Sequence, residues 1–350
     1  MWILAIDLGW SKSVFCELDT ATGEVVFGAL AMRGDALRRR CQRHRPDQIV
    51  VEIGPLAGPV HDLGRELGID VLVADTTQDA WRWKNVKRKT DRDDALKLAR
   101  LAALGQLHPV HIPPPRVRQW RQLLNERATL VGEATRCKNR IRALLRPQGL
   151  QLPAGQNGWT ESARTLLDEW ACPLADCALD EAWRGLLHLE RQRLDALGGL
   201  LAELDAKLDA VAEQDERVGL LQTIPGVGRR TAEVLVATLD DPHRFGSRRA
   251  VAAYAGLTPR RYQSGTMDRT GRISKRGNAL LRQMLNQASW VAIRHDAHLR
   301  ALYLRVSGGG HRGRRKVAIV AVMHKLLVLA WAMLRDGQRY RPRRAAPLAA

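Results

Sequence analysis

The chain has 350 residues, 45% of them hydrophobic and 27% charged, with a formal net charge of +19. That length accommodates two compact domains and a helical connector, and that apolar content excludes a globally disordered chain. No run approaches the ~18 uninterrupted apolar residues of a membrane span, so no membrane partner is expected. The opening Met-Trp-Ile-Leu-Ala-Ile-Asp lacks a basic leader and reads as a first strand rather than a signal peptide. The five cysteines (16, 41, 137, 172 and 177) are scattered. They suit a reducing cytoplasm better than a disulfide framework or a zinc site.

Residues 1–110 read as an α/β domain. Trp2 to Ile6 is a buried strand, and Val14 to Leu18 with Val25 to Leu30 form a hairpin through Ala21-Thr22-Gly23. A helix from Asp35 to His44, a strand from Gln48 to Ile53, a helix from Val60 to Leu67 and a strand from Asp70 to Ala74 follow. Thr90 to Leu104 is a helix with its acids in the first turn and its bases later, as the helix dipole prefers. Residues 111–217 read as a helical, coiled-coil-like connector. It holds a long basic helix over 116–147, a Pro/Gly-rich break, and a heptad series at Leu187, Leu194, Leu197, Leu201, Leu204, Leu208 and Val211. Packing of that series on the 116–147 helix of the same chain competes with self-association. Residues 218–338 form a mainly α domain with helices over 230–239, 248–255, 279–295 and 316–335. The tail, 339–350, is basic and then small, and disorder is expected there.

The charge is unevenly placed. From Arg244 to Ala350 there are 23 Lys/Arg and three acids, or +20, while the other 243 residues hold 33 bases and 34 acids. Such asymmetry points to a polyanion, because neutralising phosphates releases their counterions.

Four acids stand out. Asp7 and Glu52 end apolar strands, each followed by a nearby glycine; Asp91 and Asp94 are three apart at a helix start, so they share a face while Asp93 turns away. Strand ends of an open α/β sheet gather active sites. Converging carboxylates repel unless cations lie between them, and hard divalent ions with oxygen ligands are the natural choice, Mg²⁺ first and Mn²⁺ as its substitute. Taken singly, each acid is as well read as a turn residue or a helix cap. An Asp-x-Gly strand end also serves the actin-like sugar kinases, but the glycine-rich phosphate loops of that class are not found downstream.

Ala5-Ile6-Asp7, Val51-Glu52 and Lys89-Thr90-Asp91-Arg92-Asp93-Asp94-Ala95 resemble the DEDD-type insertion-sequence transposases with a RuvC-like N-terminal domain. A longer string extends the resemblance over nearly the whole chain. It runs through Thr223-Ile-Pro-Gly-Val-Gly228, Arg244-Phe245, Ala252-Ala-Tyr-Ala-Gly-Leu-Thr-Pro259, Gln263-Ser264-Gly265 and Gly271-Arg-Ile-Ser-Lys-Arg-Gly-Asn278. That family includes pilin-gene invertases. The chain departs from it at Ile53-Gly54-Pro55, where the family carries Thr-Gly, and lacks the proline usual after the 70–74 strand.

The resemblance implies an RNase H-like first domain in which Asp7, Glu52, Asp91 and Asp94 hold Mg²⁺, and a C-terminal serine transposase domain. It implies that Ser264 is a nucleophile forming a covalent link to DNA, in a site shared between subunits of a tetramer. It further implies donor and target DNA as substrates, a non-coding bridge RNA as guide, and a bacterial cytoplasmic, nucleoid-associated location. A dimer stays open beside the tetramer. Read from the residues alone, Gln-Ser-Gly is a turn serine, and Arg260, Arg261, Arg269 and Arg272 around it could clamp a phosphate. Gly226 and Gly228, in a helix–hairpin–helix-like turn, could meet phosphates through backbone N–H groups, or simply make a tight turn. Lys275 and Arg276 are further backbone-contact candidates, and His311 to Lys316 is such a candidate or a solvated charge run. The alternatives to a serine recombinase are a metal-dependent Holliday-junction-type nuclease that uses water, and a non-catalytic nucleic-acid scaffold.

Overall fold

The computed structural model describes residues 1–31, 35–75, 90–153, 158–264 and 267–342, without the side chains of 264 and 270. Lys89 and Gly265 of the motifs, and 343–350 of the tail, lie outside these. The chain divides into two compact units, Met1–Arg118 and Gln119–Ala350.

The first unit is a mixed five-stranded sheet with helices on both faces, compatible with the expected RNase H-like domain. Its strands are β1 (Trp2–Asp7), β2 (Lys12–Asp19), β3 (Val25–Ala31), β4 (Gln48–Glu52) and β5 (Asp70–Ala74), in the order β3-β2-β1-β4-β5. β1, β2 and β3 are antiparallel neighbours, whereas β4 runs parallel to both β1 and β5. The central strands are apolar throughout because both faces are covered. Successive side chains then alternate between two cores. Ile3, Ala5 and Val50 join Ala95, Leu98 and Ala99 of α3 (Asp91–Ala103) on one face. Leu4, Ile6, Ile49 and Val51 join α1 (Ala36–Arg43) and α2 (Ala57–Leu67) on the other.

The second unit is mostly helical. α4 (Pro115–Leu145) and α6 (Ala182–Glu213) pack along a seam of Leu130, Cys137, Ile141 and Leu145 against Leu187 and Leu197, with Leu194, Leu201 and Leu204 half-buried beside them. The heptad series therefore buries against the long helix of its own chain. Glu190, which breaks the series, stays in the seam by accepting from the Cys137 thiol at 3.1 Å and pairing with Arg140 at 2.9 Å. Gly198 and Gly199 face open solvent. A short helix missed by sequence periodicity, α5 (Glu161–Trp170), adds Leu167 to this core.

Beyond α6 come α7 (Glu216–Gln222), α8 (Arg229–Leu239), α9 (Arg248–Tyr254), the hairpin β6 (Pro259–Ser264) and β7 (Met267–Ile273), α10 (Ala279–His295), α11 (Ala297–Ser307) and α12 (Arg315–Asp336). One core holds them together, and it also takes in Trp120 and Leu124 of α4 and Leu208 and Ala212 of α6. Among the described residues α12 alone is long and apolar enough to cross a membrane. Its Ala318, Ile319, Val322, Leu326, Leu327 and Ala330 lie in that core, which accounts for the apolar sequence.

Candidate active site

Strand alternation settles the side on which the first two acids lie. Asp7 continues the series Ile3, Ala5, and Glu52 continues Val50, so both belong to the face that α3 covers. The parallel register pairs Ile6 with Val51, which sets Asp7 and Glu52 at the same edge of neighbouring strands. The turn after Asp7 is held by the Ser13 hydroxyl, itself fully buried, which accepts from the Gly9 N–H at 3.1 Å.

The start of α3 sorts its own acids. Thr90 is the N-cap, with its hydroxyl accepting from Asp93 N–H at 3.3 Å, while the Asp93 carboxylate accepts from Thr90 N–H at 3.2 Å and from its hydroxyl at 2.6 Å. This is a reciprocal capping box, and it occupies Asp93. Asp94 is buried on the sheet side beside Ala95, and Asp91, one turn earlier, is exposed. Asp7, Glu52 and the α3 acids thus share one side of the sheet. Among the described residues, no three acids, histidines or cysteines are gathered tightly enough to make a ready-formed metal site. The donor set is nevertheless all carboxylate oxygen, which suits a hard divalent cation.

Ser264 ends β6, where its backbone pairs with Met267. The sequence suggests a turn here; the chain forms a two-stranded ribbon leading up to it, with a register irregularity between Pro259 and Arg261. Arg261 reaches across to Asp268, with donor distances of 2.9 and 2.5 Å, and Arg260 donates to the Ser274 carbonyl at 3.3 Å. Arg269, Arg272, Lys275 and Arg276 are exposed.

The root of this hairpin is a backbone clasp. Ser274 N–H donates to Thr258 O and Lys275 N–H to Gly256 O. A Cβ on Gly256 would come within 2.0 Å of the Arg276 carbonyl, so glycine is required there. Asn278 caps α10 through Leu281 N–H, and Arg282 donates to the carbonyls of Ala255, Arg276, Gly277 and Asn278. Much of the long C-terminal motif is therefore scaffold that holds the ribbon.

The turn between α7 and α8 separates the two glycines named for phosphate contact. Gly226 has φ +85° and lies so close to α10 that a Cβ would meet Ala288 O at 2.5 Å. Gly228 is exposed as the N-cap of α8, with no side-chain cap. At the other end of α8, Arg121 donates to Ala237 O and Thr238 O, Arg244 to Leu239 O, and Arg217 to Asp240 O. Arg244 also stacks on Phe245 and Tyr254, at 4.1 and 4.4 Å from the ring centroids. Sequence reading missed these arginines as helix-end partners, and nothing in spacing alone marks them.

Comparison with known proteins bears on both units. A model of DEDD-type transposases matches residues 4–147, and the model of the transposase IS116/IS110/IS902 family matches residues 218–304. The transposase for insertion sequence element IS1111A of Coxiella burnetii is 31% identical over 259 residues, 72% of this chain and 68% of its own. The chain belongs to this transposase family. A Sinorhizobium fredii protein that also carries a transposase name is 29% identical over 372 residues, 95% of this chain and 92% of its own. The pilin gene-inverting protein of Moraxella bovis is 31% identical over 135 residues, 38% of this chain and 41% of its own. The transposase is thus an enzyme that cleaves and rejoins DNA. Its family's two matched regions coincide with the acids on one side and the serine hairpin on the other.

Proposed function

We propose that this transposase cuts and exchanges DNA strands with the carboxylates Asp7, Glu52, Asp91 and Asp94 and the nucleophile Ser264. The observation that carries the reading is strand alternation, which turns Asp7 and Glu52 to the face covered by the helix of Asp91 and Asp94. On this reading the first unit is an RNase H-like domain. Bound Mg²⁺, with Mn²⁺ as substitute, supplies charge neutralisation at the phosphate. The acids hold it: Asp7 and Glu52 from rigid strand ends, Asp94 from a buried helical position, and Asp91 from the exposed first turn.

Serine is a weak nucleophile until its alkoxide is stabilised. Arg260, Arg269 and Arg272, on the same ribbon, are the cations that do so and that clamp the scissile phosphate. In the covalent step the Ser264 oxygen loses its proton and bonds to phosphorus, while the bond from phosphorus to the leaving sugar oxygen breaks and that oxygen takes up a proton. Attack by a sugar hydroxyl of the second strand reverses these events and frees the serine. Donor and target DNA are the substrates, a non-coding bridge RNA supplies the sequence readout, and the working form is a homo-oligomer, dimer or tetramer. Readout by base pairing leaves the protein to hold backbone and shape. The site of action is the bacterial cytoplasm, at the nucleoid.

Reactions quenched in denaturant test this. Wild type leaves protein attached to a DNA end, and Ser264→Ala leaves none and gives no exchange. Full exchange by Ser264→Ala without an adduct would favour a water-using junction nuclease instead. Glu52→Gln abolishes Mg²⁺-dependent cleavage while DNA and RNA binding persists; retained cleavage removes Glu52 from the site.

A further inference from the structure

Beside α9 and α12 lies a cavity of about 440 Å³ that neither the acids nor Ser264 uses. Its polar lining is Arg248, Arg249, His324 and Lys325 with the hydroxyl residues Ser247 and Thr258, and no carboxylate lines it. Burial, then the positive charges of Lys325 and Arg248, push His324 below its ordinary value. The fields of these cations therefore meet at the ring. A concave cluster of one sign, without acids in its wall, is a built seat for an anion. Thr258 immediately precedes β6, and its carbonyl accepts the Ser274 N–H that closes the hairpin root.

We propose that this cavity seats one backbone phosphate of the bound nucleic acid at the root of the Ser264 hairpin. The inference rests on the nucleic-acid reading above but not on the serine or metal chemistry. The phosphate could come from DNA or from RNA, so the test carries an arm for each. The full chain is titrated in EDTA with a DNA duplex and with an RNA hairpin of equal phosphate number, across a salt series. Arg248→Gln/Lys325→Gln is compared with wild type and with Arg164→Gln, an exposed charge loss on α5. Loss of one phosphate contact makes the slope of log K against log salt shallower by about 0.9, which is about fivefold weaker binding near ~0.15 M salt. Loss on one nucleic acid only identifies the source of the phosphate. A double variant whose slope and affinity match Arg164→Gln on both overturns the proposal. Arg249→Gln, at another exposed wall position, repeats the test should the double variant melt early. Because no cleavage is scored, failure of the serine reading leaves this result standing.

Discussion

Asp93 and Asp91 are two residues apart and carry the same charge, yet the fold gives them different work. Asp93 is spent on the capping box with Thr90, while Asp91 stands exposed in the first turn. Asp93→Ala is expected to cost about 1 kcal/mol of stability, as cap losses do, and to leave cleavage intact where the protein stays folded. Asp91→Asn is expected to change stability by no more than about 0.5 kcal/mol and to abolish cleavage. Urea melts paired with cleavage assays separate the two, and equal loss of cleavage in both variants would sink the assignment. Spacing in the sequence already placed Asp91 and Asp94 on one helical face. The roles of Arg121, Arg217, Arg244 and Arg282 were not legible, because an arginine that satisfies buried carbonyls has the same letter as one that meets a phosphate. Part of the +20 segment is consumed internally in this way.

At the scale of elements, the α4–α6 pair is tied to α8 by an ionic knot. Asp205 of α6 accepts from Arg127 of α4 at 2.6 Å and from Arg230 of α8 at 3.0 Å, and Arg230 also donates to Asp209 and to the fully buried Glu233. The hydrogen bond from Arg127, against the opposing effect of burial, holds the Asp205 carboxyl below its ordinary value of 3.8. Its stabilising contribution is therefore fully present above that pH and is lost as pH falls through the lower folded value. Glu233 has the opposite sign: burial outweighs its contact with Arg230 and raises it above 4.5, so its contribution favours low pH and declines as pH rises through that raised value. Asp205→Asn should accordingly flatten the acid limb of urea midpoints measured between about pH 3 and pH 7. An unchanged acid limb would show that the knot adds nothing. The central strands of the first unit were legible as short continuous apolar runs, and its helices through 3.6-fold apolar periods. β6 and β7 were not, since Arg-Arg-Tyr-Gln and Asp-Arg-Thr-Gly-Arg carry no apolar alternation. α11 begins right after α10 at Asp296, which caps it through Leu299 N–H, whereas the sequence reading stops at the polar Arg294-His295-Asp296 and leaves this helix out.

For the whole molecule, the acids belong to the Met1–Arg118 unit and the hairpin to Gln119–Ala350. The core of the second unit includes α4 and α6 side chains that look in sequence like a free-standing stalk. Only tertiary packing shows that Trp120, Leu124, Leu208 and Ala212 are core residues of the unit that carries Ser264. That unit also has an uneven distribution of stability. The ribbon bearing Ser264 is clasped at its root, while Tyr262 and Met267 towards its far end are 58% and 47% exposed. A two-stranded ribbon with no third strand and no apolar face is marginal alone. Its amides should therefore exchange with deuterium through cheap local openings, far faster than those of α8 or α12, whose opening requires loss of the core. On binding nucleic acid, protection over 259–273 should rise while α8 is unchanged. The proposed nucleophile would then sit on a weakly protected ribbon until the substrate completes the structure around it.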